Sequence, residues 1–346
     1  MDRPVVRSSG RPVVLVLGPT ASGKSSLAVS LAERLGGEVV SADAFAVYRG
    51  MDIGTAKPAA AIRARVPHHL IDVLEPGERC DASRWLALAE VAIADIAARG
   101  RVPVIAGGTP LYTKLLVEGL SAGPPRDEAL RAALSATAPA ALWAELQRVD
   151  PTYAAQRHPN DLRHIVRALE VFRLTGKPYS SFHTTDGGRR ADLQALQLGL
   201  QWDKAVLHAR ISERTRTMFA AGLIDEVRAL RDRLSPEARQ AVGYKEVIEH
   251  LDGRLDLAAC IDAVALGSRH LAKHQLTWYR RFADIVWLPG DATDLIAQAE
   301  SATRRFLVAE LGGSSSSSTT GQWLGIAAQP GTLPEGNSSS TTGPVR

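Results

Sequence analysis

Cysteine is almost missing from this 346-residue sequence: Cys80 and Cys260 are the only two, and they lie far apart. Two such residues make neither a disulfide framework nor a zinc site, so a reducing, cytoplasmic setting is expected. No apolar stretch approaches the ~18–20 residues that a membrane span needs, and no membrane partner is expected. Residues 1–11 carry charge but no apolar core ahead of a cleavage site, so no secretory signal is expected either. Asparagine is scarce too. Asn160 and Asn337 are the only two, and neither begins the N-K-x-D run that guanine-nucleotide switches carry. A strong charge of one sign is also lacking. The net charge of +4 and the pI of about 9.2 are a mild basic bias that suits an anionic partner without naming one.

What is present is an ordinary globular composition, 45% hydrophobic and 23% charged, in a chain long enough for one large α/β domain or for two. Residues 1–11 read as a mobile arm. Valine and leucine fill 12–17, which predicts a buried parallel strand ending at a glycine loop. A helix is expected over 24–35, a strand over 38–42, another strand over 69–73, a helix from Asp81 to about Ala98, and a strand over 102–106 closed by Gly107-Gly108. Strands alternating with helices imply right-handed crossovers and a parallel sheet covered on both faces. From about 121 to 190 strand signals vanish, and helical patterns run over 128–137, 140–149 and 161–175. The expected architecture is therefore α/β, a parallel sheet with flanking helices built from 12–120 and 191–311, with a helical subdomain inserted at 121–190; the G-x-x-x-x-G-K-S loop after the first strand, Gly18 to Ser25, makes the sheet P-loop NTPase-like. A return strand is expected over 193–200 and helices over 204–221, 224–233 and 257–281. A last strand over 285–288 and a last helix over 292–311 complete the pattern. Past Gly312 the Ser/Thr/Gly-rich composition predicts a disordered tail, 312–346.

Gly18-Pro19-Thr20-Ala21-Ser22-Gly23-Lys24-Ser25 fits the phosphate-binding pattern G-x-x-x-x-G-K-[ST], with an apolar strand before it and a helix after it. Small residues let successive backbone N–H groups point into one concavity, and the helix N-terminus adds positive potential. Lys24 supplies a point charge and the Ser25 hydroxyl suits Mg²⁺. The loop alone leaves three classes open: a nucleotide-binding hydrolase or switch, an ATP-binding small-molecule kinase, and a transferase whose substrate carries a diphosphate. Asp43 follows the neighbouring strand, at the sheet edge where ligands of open parallel sheets bind. It reads either as a proton acceptor or as a turn aspartate.

The segment after Asp43 is crowded with glycine, threonine, lysine and proline, as in a ligand-facing loop. Here the sequence resembles a known family. GPTASGKS, SAD with VYRGMDIGTAKP, PHHLIDV, GGTPLY, HPND with RALEVF, MFAAGLIDEVRAL, AVGYKE and RHLAKHQLTWYRR are similar to segments of the bacterial tRNA dimethylallyltransferases, in family order from about Val13 to Leu288. The resemblance implies transfer of a dimethylallyl group from dimethylallyl diphosphate to N6 of adenosine 37, next to the anticodon of tRNAs that read codons starting with U. A P-loop kinase, and an RNA-binding ATPase without transfer chemistry, are the alternatives.

By resemblance, Asp43 is the base acting on N6, Arg214 clamps the diphosphate, Thr20 adds a hydroxyl contact, and Mg²⁺ sits near Ser25. Asp43, Ala44, Phe45 and Ala46 match a segment that contacts tRNA. So do Arg163, His164, Ile165, Val166 and Arg167 on the helical insert, and Gln240, Ala241, Val242, Gly243, Tyr244 and Lys245. Thr109 and Arg131 match two further RNA-contacting positions. The expected partner is the tRNA anticodon stem-loop, bound by a monomer, with the target base flipped into a pocket. There are two departures: Ala44 stands where the family usually has serine, and Cys80 where aromatic residues are common. Arg269, His270, Lys273, His274, Arg280 and Arg281 share one helical segment, which reads equally as an RNA-facing or a solvated basic face. His270 and His274 have metal-ligand spacing but no apparent third ligand.

Overall fold

The computed structural model describes residues 10–119, 123–124, 126–182 and 190–311. The expected N-terminal arm, save 10–11, and the expected tail, 312–346, lie outside the described residues, as do Gly187-Gly188. In chain order the elements are β1 (Arg11–Leu17), α1 (Lys24–Leu35), β2 (Glu38–Ser41), α2 (Ala60–Arg65), β3 (His68–His69), α3 (Ala82–Ala98), β4 (Pro103–Gly107), α4 (Pro110–Glu118), α5 (Glu128–Ser135), α6 (Pro139–Val149), α7 (Pro151–Ala154), α8 (Leu162–Thr175), β5 (Leu193–Gln201), α9 (Lys204–Ala220), α10 (Leu223–Leu230), α11 (Tyr244–Leu251), α12 (Leu257–Tyr279), β6 (Ile285–Pro289) and α13 (Leu295–Leu311).

The strands form one parallel sheet in the order β3-β2-β4-β1-β5-β6. β1 is an unbroken apolar run because it lies in the middle and is covered on both faces. On one face Val14, Val16, Val104 and Leu198 pack against Leu27, Leu31 and Leu35 of α1 and Ala299 and Leu307 of α13. The four-residue spacing of the α1 leucines is what places them on one helical stripe. The intervening Val13, Leu15, Leu17 and Ile105 are also fully buried, so the opposite face is covered as well. Register then sets the working edge. Leu17 pairs with Gly107 and with Gly199, and Ser41 with Ala106. Gly18, Asp43 and Gly108 therefore leave the sheet at one level, and β5 runs two residues further before Trp202.

The strand expected over 69–73 is much shorter. Only His68 and His69 pair, with Val39 and Val40. Leu70 and Asp72 then adopt φ of 61° and 57°, left-handed conformations that end a strand. The Asp72 carboxylate is held there by Lys57 at 2.5 Å and Arg63 at 2.7 Å. Helices α2, α4, α7 and α11 were not expected from the sequence.

Residues 114–191 form one compact unit, and the residues before and after them form the other. Within 114–191, Leu134, Leu142, Leu146, Tyr153, Ile165, Val166 and Leu169 make a small core. Beside it lies Glu170, with no exposed surface. Its carboxylate accepts from Arg131 at 3.1 Å, Arg167 at 2.7 Å and the Asp127 N–H at 2.8 Å. A buried carboxylate needs this many donors to offset its lost hydration.

The ends of β2 and β4 are drawn together by the Ala42 N–H on Ala106 O at 2.8 Å and the Thr109 N–H on Ala42 O at 3.2 Å. That approach requires glycine between them. A Cβ on Gly107 would lie 2.1 Å from Ala42 O. Gly107→Ala is expected to lower the unfolding free energy by about 1–3 kcal/mol. An unchanged midpoint in urea denaturation would contradict this packing.

Candidate active site

The glycine loop closes on itself through the Ser22 N–H on Pro19 O at 3.2 Å. Gly23 (φ 90°) turns the chain into α1, and Ala21 (φ 63°) adopts the same left-handed region without being glycine. The first intrahelical bond is the Leu27 N–H on Gly23 O at 3.1 Å, so the N–H groups of 23–26 lie ahead of the helical ladder. No acidic side chain stands in the first turn of α1 to oppose an anion there.

Two side chains from distant parts of the chain meet this loop beside its own Lys24. Arg214, on α9, is half-buried and donates to the Thr20 hydroxyl. Lys24 donates to Pro19 O at 3.3 Å. Gln275, on α12 and 4% exposed, accepts from the Thr20 N–H at 2.7 Å and donates to Gly108 O at 2.6 Å. These two partners fix which end of the amide is which. Gly108 leaves the room: a Cβ there would lie 2.5 Å from Gln275 Nε2 and 3.4 Å from Lys24 Nζ. Gln275 was not singled out in the sequence. Nothing local marks it, since its partners are 255 and 167 residues away.

Two cations near one another in a partly desolvated place disfavour their own charge. Burial, and after it the Arg214 cation, pulls the Lys24 ammonium down to about 8, with Asp43 opposing. Burial likewise pulls Arg214 below its ordinary value, again opposed by Asp43. Asp43 itself is oriented by a turn. One carboxylate oxygen accepts from the Phe45 N–H at 2.9 Å and the Ala46 N–H at 3.2 Å, leaving the other oxygen outside the turn. The Thr109 hydroxyl accepts from the Ala44 N–H at 3.1 Å, a backbone bond that does not depend on the side chain at 44.

A cavity of about 280 Å³ opens on these groups. Thr20, Lys24, Ser25, Asp43, Phe45, Ala46, Arg214, Gln240, Ala241 and Val242 line it, with apolar walls from Ile71, Met218, Val264 and Leu271. Several other expected contact residues stand elsewhere. Tyr244 is fully buried and its hydroxyl donates to Glu226 at 2.5 Å; it packs across Gly54, where a Cβ would lie 2.4 Å from its ring. It is thus no stacking platform, while Gln240 and Lys245 beside it are exposed. Arg131 and Arg163 to Arg167 belong to the other unit. There Ile165 and Val166 turn into the core, so neither side chain is presented to a partner. Arg163 is exposed, and His164 is paired with Asp161 at 2.7 Å. Arg167 is shared between Glu170 and Pro124 O.

Among the described residues there is no cluster of three or more His, Cys, Asp or Glu able to hold a metal, and no helix long and apolar enough to cross a membrane.

A glycine loop between the central parallel strand and its helix, with lysine and arginine converging on it, defines a P-loop α/β protein. Comparison with known proteins is specific beyond that class. A family model described as IPP transferase matches residues 46–282, and one described as isopentenyl transferase matches 11–65. A tRNA dimethylallyltransferase of Anaeromyxobacter dehalogenans (strain 2CP-C) is 49% identical over 83% of this chain and 99% of its own. One of Halorhodospira halophila (strain DSM 244 / SL1) is 48% identical over 81% and 93%. The full-length tRNA isopentenylpyrophosphate transferase of Bacillus halodurans has a similar structure, with TM-score 0.64 and 39% identity, covering 88% of this chain and 97% of that one. A eukaryotic dimethylallyltransferase acting on tRNA gives TM-score 0.73 and 28% identity, over 87% and 78%. The chain belongs to the IPP transferase family, that of the tRNA dimethylallyltransferases.

Gln275→Leu removes the partner of two buried backbone groups, at an expected loss of about 1–3 kcal/mol for each group left unpaired. Equal stability of variant and wild type in chemical denaturation would show that other partners take over both groups.

Proposed function

We propose that this protein transfers the dimethylallyl group of dimethylallyl diphosphate to N6 of adenosine 37 in tRNAs that read codons starting with U. One observation carries the reading: Lys24, Arg214 and the loop amides stand with Asp43 on a single cavity, a diphosphate holder facing a proton acceptor. Family membership supports both substrates.

The chemistry follows from the charges. N6 of the adenine attacks the allylic CH₂, the bond from that carbon to diphosphate oxygen breaks, and its electron pair leaves with the diphosphate. Lys24, Arg214 and the amides at the start of α1 stabilise the charge developing on the leaving group, which eases that cleavage. The Asp43 oxygen outside its turn takes the proton that N6 loses. Thr20 holds Arg214 on its hydroxyl and so sets where the guanidinium meets the diphosphate. Ile71, Met218, Val264 and Leu271 offer apolar surface for the five-carbon group and keep water from it.

Mg²⁺ fits this donor set. Ser25 is exposed at the start of α1 and lines the cavity, and magnesium takes few protein oxygens when phosphate oxygens complete its shell. When bound beside Ser25, the ion neutralises diphosphate charge. The tRNA partner is the anticodon stem-loop, with Arg163, Gln240 and Lys245 as exposed contacts and Arg131 and Arg167 as contacts steadied by Glu170. The protein acts as a monomer in the cytoplasm.

Incubation with dimethylallyl diphosphate and an unmodified tRNA, followed by mass spectrometry of adenosine 37, is expected to show the N6-dimethylallyl product. ADP formation from ATP without any prenylated adenosine would overturn the reading. Asp43→Ala is expected to slow transfer by roughly 10²–10⁴-fold with tRNA binding retained. Single-turnover chemistry at the wild-type rate would remove Asp43 from its role.

Lys24 also makes diphosphate binding depend on pH. Its ammonium, at about 8 before an anion arrives, is protonated below that pH and neutral above it. The anion favours the charged form, so affinity for inorganic diphosphate is expected to fall as pH rises through about 8, by up to about tenfold per unit. Lys24→Ala should weaken binding and remove that component of the profile. A variant with the same profile as wild type would contradict the assignment.

A further inference from the structure

The glycine loop is also gripped from outside, by two side chains that do not line the cavity. Trp202 lies between β5 and α9, and its indole N–H donates to Ser22 O at 2.9 Å. Arg210, on α9, donates through Nε to Ala21 O at 2.9 Å. The Arg210 guanidinium lies over the Trp202 ring at 4.2 Å, so each holds the other. Trp202 reaches the loop across Gly290, where a Cβ would lie 2.1 Å from Nε1. Ala21, Leu207, Ile211 and Leu276 pack together with the ring in one small apolar cluster.

In a trans peptide the C=O and N–H point in opposite directions. Holding the Ala21 carbonyl therefore aims the Ser22 N–H the other way, and it is found on Pro19 O at 3.2 Å, closing the loop. Holding the Ser22 carbonyl in the same manner aims the Gly23 N–H away from Trp202. Gly23 is the first residue whose N–H precedes the helical ladder. Gly23 reaches φ 90° freely, but φ 63° costs the Cβ of Ala21 energy and is kept only by surrounding contacts.

We propose that Trp202 and Arg210 are positioning residues that fix the 21–22 and 22–23 peptides so that the Gly23 N–H faces the diphosphate. The inference rests on the reading that this loop holds a diphosphate. It divides the labour of two arginines one helical turn apart on α9: Arg214 acts on the ligand side through Thr20, and Arg210 acts on the outer side through a carbonyl.

Trp202→Phe keeps a ring under Arg210 but has no N–H to donate. Titration with inorganic diphosphate is expected to give a roughly two- to tenfold weaker Kd, the range of one lost hydrogen bond. The KM for dimethylallyl diphosphate should rise by a similar factor while the KM for tRNA stays unchanged. A second pair of variants separates orientation from charge and serves should Trp202→Phe fail to fold. Arg210→Gln retains a donor for Ala21 O and should keep more diphosphate affinity than Arg210→Met, at every salt concentration. Equal losses for the two Arg210 variants, or a parallel loss of tRNA and diphosphate affinity, would overturn the proposal. Lys24→Ala runs beside them. If it destroys diphosphate binding while Trp202→Phe and Arg210→Met bind as wild type, the positioning role falls and the loop keeps its function. If Lys24→Ala also binds as wild type, the diphosphate reading falls and the positioning role with it.

Discussion

Thr20 is held at both of its polar ends, and the rest of the site depends on that grip. Its backbone N–H is taken by Gln275 and its hydroxyl by Arg214. Gln275 then reaches on to Gly108 O. One residue of the glycine loop thereby ties together the end of the central strand β1, the end of its neighbour β4, and the helices α9 and α12. Without this tie the guanidinium would have no fixed place against the loop. The glycines at 107 and 108 exist for the same reason, since any side chain there would part the strand ends or displace the amide.

Electrostatics make the assembled edge a place suited to an anion. Burial, and after it the Arg214 cation, depresses the charged form of Lys24, burial depresses that of Arg214, and Asp43 compensates only in part. The proposed diphosphate would resolve that tension, and its binding would be strengthened by it. The arrangement is preorganised for negative charge on a leaving group, which is how a loop usually associated with nucleotides serves an allylic transfer. Phosphoryl transfer would ask for an acceptor hydroxyl near a terminal phosphate. Here the apolar walls contributed by Ile71, Met218, Val264 and Leu271 suit a hydrocarbon group instead.

Those parts of the protein governed by neighbours in sequence were legible beforehand. The Val/Leu run of β1, the glycine loop and the four-residue spacing in α1 come from interactions over a few residues, and the structure has them where the pattern places them. β3 was misjudged because an apolar stretch cannot reveal Leu70 and Asp72 in left-handed turns, pinned by Lys57 and Arg63. Tyr244 stands in a segment that resembles a tRNA-contacting one, and nothing in that segment reveals its partner Glu226, which comes from another helix. That carboxylate also gathers the N–H groups of Asp52, Ile53 and Gly54, so the tyrosine is part of a loop anchor. Gln275, Trp202 and Arg210 were passed over for the same reason: each acts on the backbone of the glycine loop from far along the chain, and backbone partners leave no trace in the pattern of side chains.

The alanine at 44 shows how much of the site rests on backbone. A serine there would add a hydroxyl beside the proposed base, and its absence suggests a weakened catalytic edge. Yet the bonds that orient Asp43 come from the N–H groups of Phe45 and Ala46, and the Thr109 hydroxyl binds the N–H of residue 44 itself. All three are main-chain groups that any residue except proline supplies. The position of the carboxylate is thus insulated from the side chain at 44. On the proposed function, what the missing hydroxyl can change is contact with RNA, so this departure would bear on how strongly tRNA is held and not on proton transfer to Asp43.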